Sequence, residues 1–250
     1  MNRRQYKNPP ISEAVCAVRF VPNADWDLTY PALFYAKVKS EYDGKTREQK
    51  LVNLEPSPKD VQQIGSQGMA VNEISRLQFV TKDERKIISL YQDDLAISVL
   101  RPYPGWEVFR PTIANAFDTY VSVVNPSGIR RIGFRYINQV QVNGGLDDLL
   151  RCFTSSPPPL PNASTKIQNF GSRVDYVFSD EPIKIAVTIA RLIAPEEKSA
   201  ALLDVDLTWE WLGEALSIEN AMGRIDELRV RERGAFESLI TDHARELFDV

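Results

Sequence analysis

Between Arg131 and Val142 the chain alternates strictly enough to dictate its local structure. Ile132, Phe134, Tyr136, Val140 and Val142 are apolar, and Arg131, Arg135, Gln139 and Gln141 stand between them. Successive side chains on a strand point to opposite faces, so this run is a strand with one core face and one polar face. Leu203, Val205, Leu207 and Trp209 alternate in the same way with Asp204, Asp206, Thr208 and Glu210, as do Ile183, Ile185, Val187 and Ile189 with Lys184, Ala186, Thr188 and Ala190. Short polar connections join further runs into hairpins: Lys82–Arg85 between 77–81 and 86–91, Gln92–Asp94 before 95–100, and Ser179–Pro182 between 174–178 and 183–192. Such connections imply antiparallel pairing.

Three helices are expected against this sheet. One covers Trp26–Tyr42, with Pro31 near its first turn. A second covers Trp106–Val121, with Val108, Phe109, Ile113, Ala116, Phe117 and Tyr120 on one stripe, and stops at Asn125-Pro126-Ser127-Gly128. A third starts at an N-cap on Ser217 and runs through Ile218, Ile225, Leu228, Phe236 and Leu239 to Leu247. Gly223 and Gly234 each weaken it by about 1 kcal/mol relative to Ala, which allows a kink or break. Residues 43–72 and the proline-punctuated stretch 154–171 read as irregular. The fold class is therefore α+β: antiparallel sheet with helices packed on one side. The element order repeats coarsely, and Leu77–Glu84 matches Val174–Glu181 at a constant offset. The chain thus reads as an N-terminal half, 1–128, and a C-terminal half, 129–250, each β-α-β-β-β-α, either separate or merged into one continuous domain.

Composition excludes several chemistries. Lys plus Arg is 30 and Asp plus Glu is 34, for a net charge of −4. That balance argues against a dominant nonspecific nucleic-acid interaction, which needs excess positive charge. Cys16 and Cys152 cannot build a disulfide framework or a cysteine-rich zinc site, and Cys16 lies in an apolar run that suits a buried thiol. His243 is the only histidine, so a multi-histidine metal centre is ruled out and any Ser-His or Cys-His system would depend on it. No phosphate-cradling glycine loop appears: Gly144-Gly145 is a lone pair at a strand end. The basic start MNRRQYKNPP is followed by no apolar segment of signal-peptide length, and no run approaches a membrane span, so a cytoplasmic location with no membrane partner is expected.

Asn8-Pro9-Pro10-Ile11-Ser12-Glu13-Ala14, followed by Val18-Arg19-Phe20, resembles the opening of a sporadically distributed bacterial and archaeal protein family of unknown function. Tyr103-Pro104-Gly105-Trp106 with Phe109, Arg135-Tyr136-Ile137-Asn138 and Asp204-Val205-Asp206 are similar to three further blocks of it. The resemblance spans nearly the whole chain and implies no activity, cofactor or catalytic residue.

The residues that could carry chemistry are few. Asp204 and Asp206, two apart on a strand, point the same way. They could hold Mg²⁺ with Glu210, Asp175 or Asp180 as a third carboxylate, or form a solvated or salt-bridged face with Arg135 or Arg131. Arg135 with Asn138 could hold an anion, or Arg135 could pair with Asp206. Trp106 and Phe109 could staple a Pro-Gly turn to the following helix, or face a partner. Arg229, Arg231 and Arg233, interleaved with Glu227 and Glu232, read as a solvated helix segment. The expectation that follows is a non-enzymatic binding or interaction protein of immunity or accessory type. It needs no cofactor, metal or catalytic residue, and it has a protein partner or forms a homodimer. The alternative is a metal-dependent phosphodiesterase or nuclease using Asp204 and Asp206.

Overall fold

The protein is represented by a computed structural model that describes residues 4–23, 26–56, 69–155, 157, 167–195, 197–211 and 213–249. Among the described residues nine strands form a single antiparallel sheet. In chain order they are β1 (Ile11–Phe20), β2 (Arg47–Pro56), β3 (Met69–Val80), β4 (Lys86–Tyr91), β5 (Asp94–Leu100), β6 (Ile129–Val142), β7 (Gly171–Val177), β8 (Ile183–Leu192) and β9 (Ser199–Glu210). Their spatial order is β2-β3-β4-β5-β1-β6-β9-β8-β7. The three hairpins expected from the turn chemistry are all present, as β3/β4, β4/β5 and β7/β8. At the centre β1 pairs with β6, placing Cys16 opposite Phe134 and Ala17 opposite Gly133.

The helices are α1 (Tyr30–Val38), α2 (Trp106–Val124), α3 (Leu146–Leu150), α4 (Ala221–Leu239) and α5 (Asp242–Phe248), with a 3-10 turn at Ile218–Asn220. They cover one sheet face. Ala14, Cys16, Val18 and Phe20 of β1, Ile132, Phe134 and Tyr136 of β6, and Leu203, Val205, Leu207 and Trp209 of β9 join the helices in one apolar core. Aromatic rings knit the layers: Phe20 stacks on Tyr120 of α2 at 4.3 Å, and Tyr35 of α1 stacks on Phe79 of β3 at 5.1 Å. Cys16 and Cys152 are buried free thiols, and burial pushes the Cys16 thiol up to about 12. Among the described residues no helix is long and apolar enough to cross a membrane.

Three sequence expectations change. The first helix starts at Tyr30 rather than Trp26, because Asp27 accepts a hydrogen bond from the Thr29 amide and Pro31 takes the first turn, where a missing N–H costs nothing. The third helix breaks, and not at a glycine. Ile240 is extended and bridges Phe153, and the amides of Thr154 and Thr241 bond to the carbonyls of Leu239 and Cys152. Backbone groups that would have continued the helix are satisfied by the 152–154 segment instead. The irregular stretch 43–72 contains β2 and the start of β3, paired over Arg47–Pro56 and Met69–Gln78. A charged edge strand carries little hydrophobic periodicity, which is why the pattern hid it. Of the proline-rich stretch 154–171, residues 156 and 158–166 lie outside the described residues.

Among the described residues the second sheet face carries no helix. It is lined with Arg19, Asp94, Arg131, Arg135, Asp206 and Thr208, alternating with small residues such as Ala17, Ala96 and Gly133.

Candidate functional site

A cleft of about 460 Å³ opens on the helix-covered side, where four parts of the chain meet. Its walls are the N-terminal arm (Arg4–Lys7 and Pro9–Ile11), the entry to α2 (Tyr103–Glu107), Tyr136 and Asn138 of β6, and Arg229, Glu232, Arg233, Phe236 and Glu237 of α4.

Each wall has a local cause. The arm is clamped by the Asn8 amide donating to the Phe248 carbonyl at 2.9 Å, by the Gln139 amide donating to the Pro10 carbonyl at 2.8 Å, and by the Tyr6 ring set edge-on to Phe248 at 5.4 Å. The Tyr6 hydroxyl lies 2.9 Å from both Glu237 oxygens; burial, then this bond, pushes it up to about 12. Gly105 turns the chain into α2 at φ 91° and ψ 163°, a region open essentially to glycine alone. Trp106 then packs edge-on against Phe109 and Phe134, with the guanidinium of Arg229 5.1 Å from its ring centre. On α4 the positions Ala221, Ile225, Leu228, Glu232 and Phe236 form the buried stripe, so the helical period itself carries Glu232 into the core.

The floor of the cleft is polar and unsatisfied. Glu232 is 0% exposed, and neither carboxylate oxygen has a hydrogen-bond partner. Burial holds its carboxyl well above the usual carboxylate range, with Arg229 and Arg233 pulling the other way. Asn138 is 1% exposed; its amide nitrogen donates to the Leu203 and Tyr136 carbonyls, and its Oδ1 has no partner. The hydroxyls of Tyr103 and Tyr136 are 2.9 Å apart, and burial raises both, Tyr103 to about 12. Two hydroxyls sharing one bond leave one hydrogen free to donate. Native structures rarely leave a buried carboxyl without a partner, and such groups gather where a ligand or a reaction supplies what is missing.

The sequence-derived candidates divide between the two sheet faces. Arg135 and Asn138, read together as an anion site, point to opposite faces, as a separation of three on a strand requires. Asn138 is in the cleft floor. Arg135, on the uncovered face, donates from Nε and Nη2 to the two oxygens of Asp204 at 2.7 and 2.6 Å. Asp206, the expected partner of Arg135, lies opposite it in register, but the long arginine side chain reaches diagonally to Asp204. Burial raises the Asp206 carboxyl, with Arg135 opposing. Among the described residues no three His, Cys, Asp or Glu side chains group to hold a metal ion. Trp106 lines the cleft; Phe109 is 0% exposed, so it belongs to the core and presents no surface to a partner. His243 sits on α5 and is not part of the cleft.

The candidate residue that sequence reasoning passed over is Glu232, taken as one charge in a solvated segment. The signal was there: it falls four residues after Leu228 and four before Phe236, on the apolar stripe. Parts of three sequence blocks singled out above meet here, as Pro9-Pro10-Ile11, Tyr103-Pro104-Gly105-Trp106, and Tyr136 with Asn138. Comparison with known proteins finds no family model that matches this chain and no curated protein similar to it.

Proposed function

We propose that this is a non-enzymatic binding protein of accessory type, whose working site is the cleft between the N-terminal arm, α2, β6 and α4. One observation carries this reading: Glu232 is fully buried at the floor with both oxygens unpartnered. An arrangement that leaves a carboxyl unsatisfied in the free protein costs stability, and a ligand that donates to it recovers that cost. The cleft size suits a small molecule. The test is thermal melting of the wild type and Glu232→Met against a panel of nucleotides, amino acids, polyamines and sugar phosphates. At least one compound is expected to raise the wild-type melting temperature and leave the variant unmoved. A panel that shifts neither protein sinks the reading. The metal-dependent alternative has less support, because both oxygens of Asp204 are engaged by Arg135.

The same proposal includes a duplicated architecture, residues 1–128 and 129–250. In each half the first strand (β1, β6) lies at the sheet centre and the last (β5, β9) pairs beside it. The preceding strands step outward (β4 and β3; β8 and β7), and a long helix follows (α2, α4). β1 and β6 run antiparallel, which suits an approximate two-fold axis between them; β2 has no counterpart among the described residues. Superposing the halves on these element pairs tests the duplication, and halves that cannot be superposed in topology refute it.

A homodimer would form most simply along β7. This edge strand is exposed along its whole length, with Val174 and Tyr176 45% and 51% exposed, and open edges template pairing with another strand. Light scattering coupled to size exclusion checks this, with Tyr176→Lys expected to shift a dimer to monomer. A wild type that is monomeric at high concentration rejects it.

A further inference from the structure

We propose that the mouth of the cleft binds the phosphate of a small phosphate monoester through Arg229 and Arg233 of α4 and Lys7 of the N-terminal arm, with the rest of the ester against Tyr103 and Trp106. The proposal rests on the reading of the cleft as a binding site and names the charged head of its ligand.

The arginines of α4 divide into two sets. Arg224 pairs with Glu227, and Arg231 pairs with Glu181 at 2.7 Å and Glu227 at 2.9 Å. Arg229 and Arg233, the two that line the cleft, make no ion pair or hydrogen bond to a described residue. Both are half-buried, and none of their nitrogens is sealed from water without a partner, so their donors stay within a ligand's reach. Arg229 lies over the Trp106 ring, 5.1 Å from its centre, instead of against an acid. Residues four apart on a helix are neighbours, and like charges at that spacing weaken it. An anion seated between the two would remove that repulsion. Lys7, exposed on the arm, brings a third cation without an ion pair among the described residues.

The acids of the cleft do not supply the missing charge. Glu237 is taken by Tyr6 and Arg245. The Glu232 carboxyl bonds to neither arginine, and burial disfavours its charge. Glu107, exposed on the first turn of α2, is the remaining acid in the lining, and Arg4, the remaining cation, is paired with Asp249. Three unpaired cations, Lys7, Arg229 and Arg233, against the one acid Glu107 leave a surplus of two. A phosphate monoester carries close to two negative charges near neutral pH and three acceptor oxygens, enough for donors arriving from two walls. A carboxylate or a sulfate ester carries one charge and leaves part of the surplus uncovered. The chain as a whole has a net charge of −4, so the positive field is local to this cleft. A volume of about 460 Å³ fits a small molecule rather than a polymer, and the partly exposed rings of Tyr103 and Trp106 give its body an apolar wall.

The experiment is calorimetric titration of the full chain with phenyl phosphate, phenyl sulfate, phenylacetate and inorganic phosphate. Phenyl phosphate is expected to bind, with phenyl sulfate and phenylacetate at least about tenfold weaker, the loss of one charge-assisted contact. Inorganic phosphate is expected to compete with phenyl phosphate and to bind more weakly, because it lacks the body. Arg233→Gln is expected to melt no lower than the wild type and to lose at least about tenfold in affinity. Arg231→Gln, on the same helix but paired outside the cleft, is expected to bind as the wild type does. Equal binding of phenylacetate and phenyl phosphate overturns the proposal, as does unchanged binding to a folded Arg233→Gln. Phenyl phosphate that protects the wild type and Glu232→Met alike supports the phosphate site and removes the floor from it. If phenyl phosphate does not bind but spermidine or an amino acid protects the wild type and not Glu232→Met, the phosphate is wrong and the cleft reading stands. If nothing protects, both fall.

Discussion

The hydroxyls of Tyr103 and Tyr136 meet at 2.9 Å, and this bond ties the segment entering α2 to the central strand β6 at the wall of the cleft. The two residues are buried or nearly so, and each is in edge contact with Phe109 or Phe134. Tyr103→Phe and Tyr136→Phe should each cost about 1 kcal/mol, and the double variant less than the sum, because the second change removes a partner already lost. Urea unfolding of the four proteins measures the coupling; strictly additive losses contradict a direct bond.

Replacing Glu232 by Met should stabilise the protein. The carboxyl is fully buried and unpaired, and an unsatisfied buried polar group costs about 1–3 kcal/mol. For a chain of this size each kcal/mol is worth about 2–4 °C in melting temperature. Calorimetry reads the change, and a lower melting temperature would mean the carboxyl is satisfied in solution.

The same residue should make stability fall with rising pH. Its folded carboxyl titrates well above the value of 4.5 that it has in an unfolded chain, and burial is the leading cause. Below that lower value both states hold the proton and the contribution is fully present. Above it the unfolded chain releases the proton first, so stability declines until the folded carboxyl also ionises. The wild type compared with Glu232→Gln should therefore lose stability steadily from mildly acidic to neutral pH. A difference that stays constant across urea midpoints in that range refutes the sign.

The pair Arg135–Asp204 should respond asymmetrically. Asp204 is almost fully covered, whereas Arg135 is 41% exposed. Arg135→Met strands a buried carboxylate and should cost about 2 kcal/mol after discounting for the partly wet partner. Asp204→Asn leaves a guanidinium that water can reach and should cost less. Denaturation midpoints rank the two, and the reverse order would place the burial on the wrong side.

Gly105→Ala tests the backbone at the entry to α2. A Cβ there would meet nothing within 4 Å, so the cost is conformational, from φ 91° alone, and should be about 1–3 kcal/mol. Thermal melting detects it. Because Trp106 follows directly, the variant should also weaken any ligand of the cleft, seen as a smaller ligand-induced shift.

The alternating runs of β6, β8 and β9 were legible because a strand with one covered face writes its burial into every second residue. The hairpins were legible from their turns. β2 was not, since it is an edge strand whose first residues, Arg47-Glu48-Gln49-Lys50, are all polar and set up no apolar alternation. The break at Ile240 was not, since its cause is Phe153, far away in the chain. Alternation placed Asp204 on the face opposite Leu203, but it could not say that Arg135 would reach diagonally from the neighbouring strand to cover it.

Local periodicity thus determined most of the strands and helices, β2 excepted, and the covered face of the sheet, because each of these is settled by which side chains avoid water within one element. The cleft was decided only in three dimensions. Asn138, Tyr103 and Glu232 sit on three separate elements, and whether their polar atoms find partners depends on what the packing of α2 and α4 over β6 brings within reach. A hydrogen bond between distant segments leaves no period in the chain, and an unmade one leaves even less.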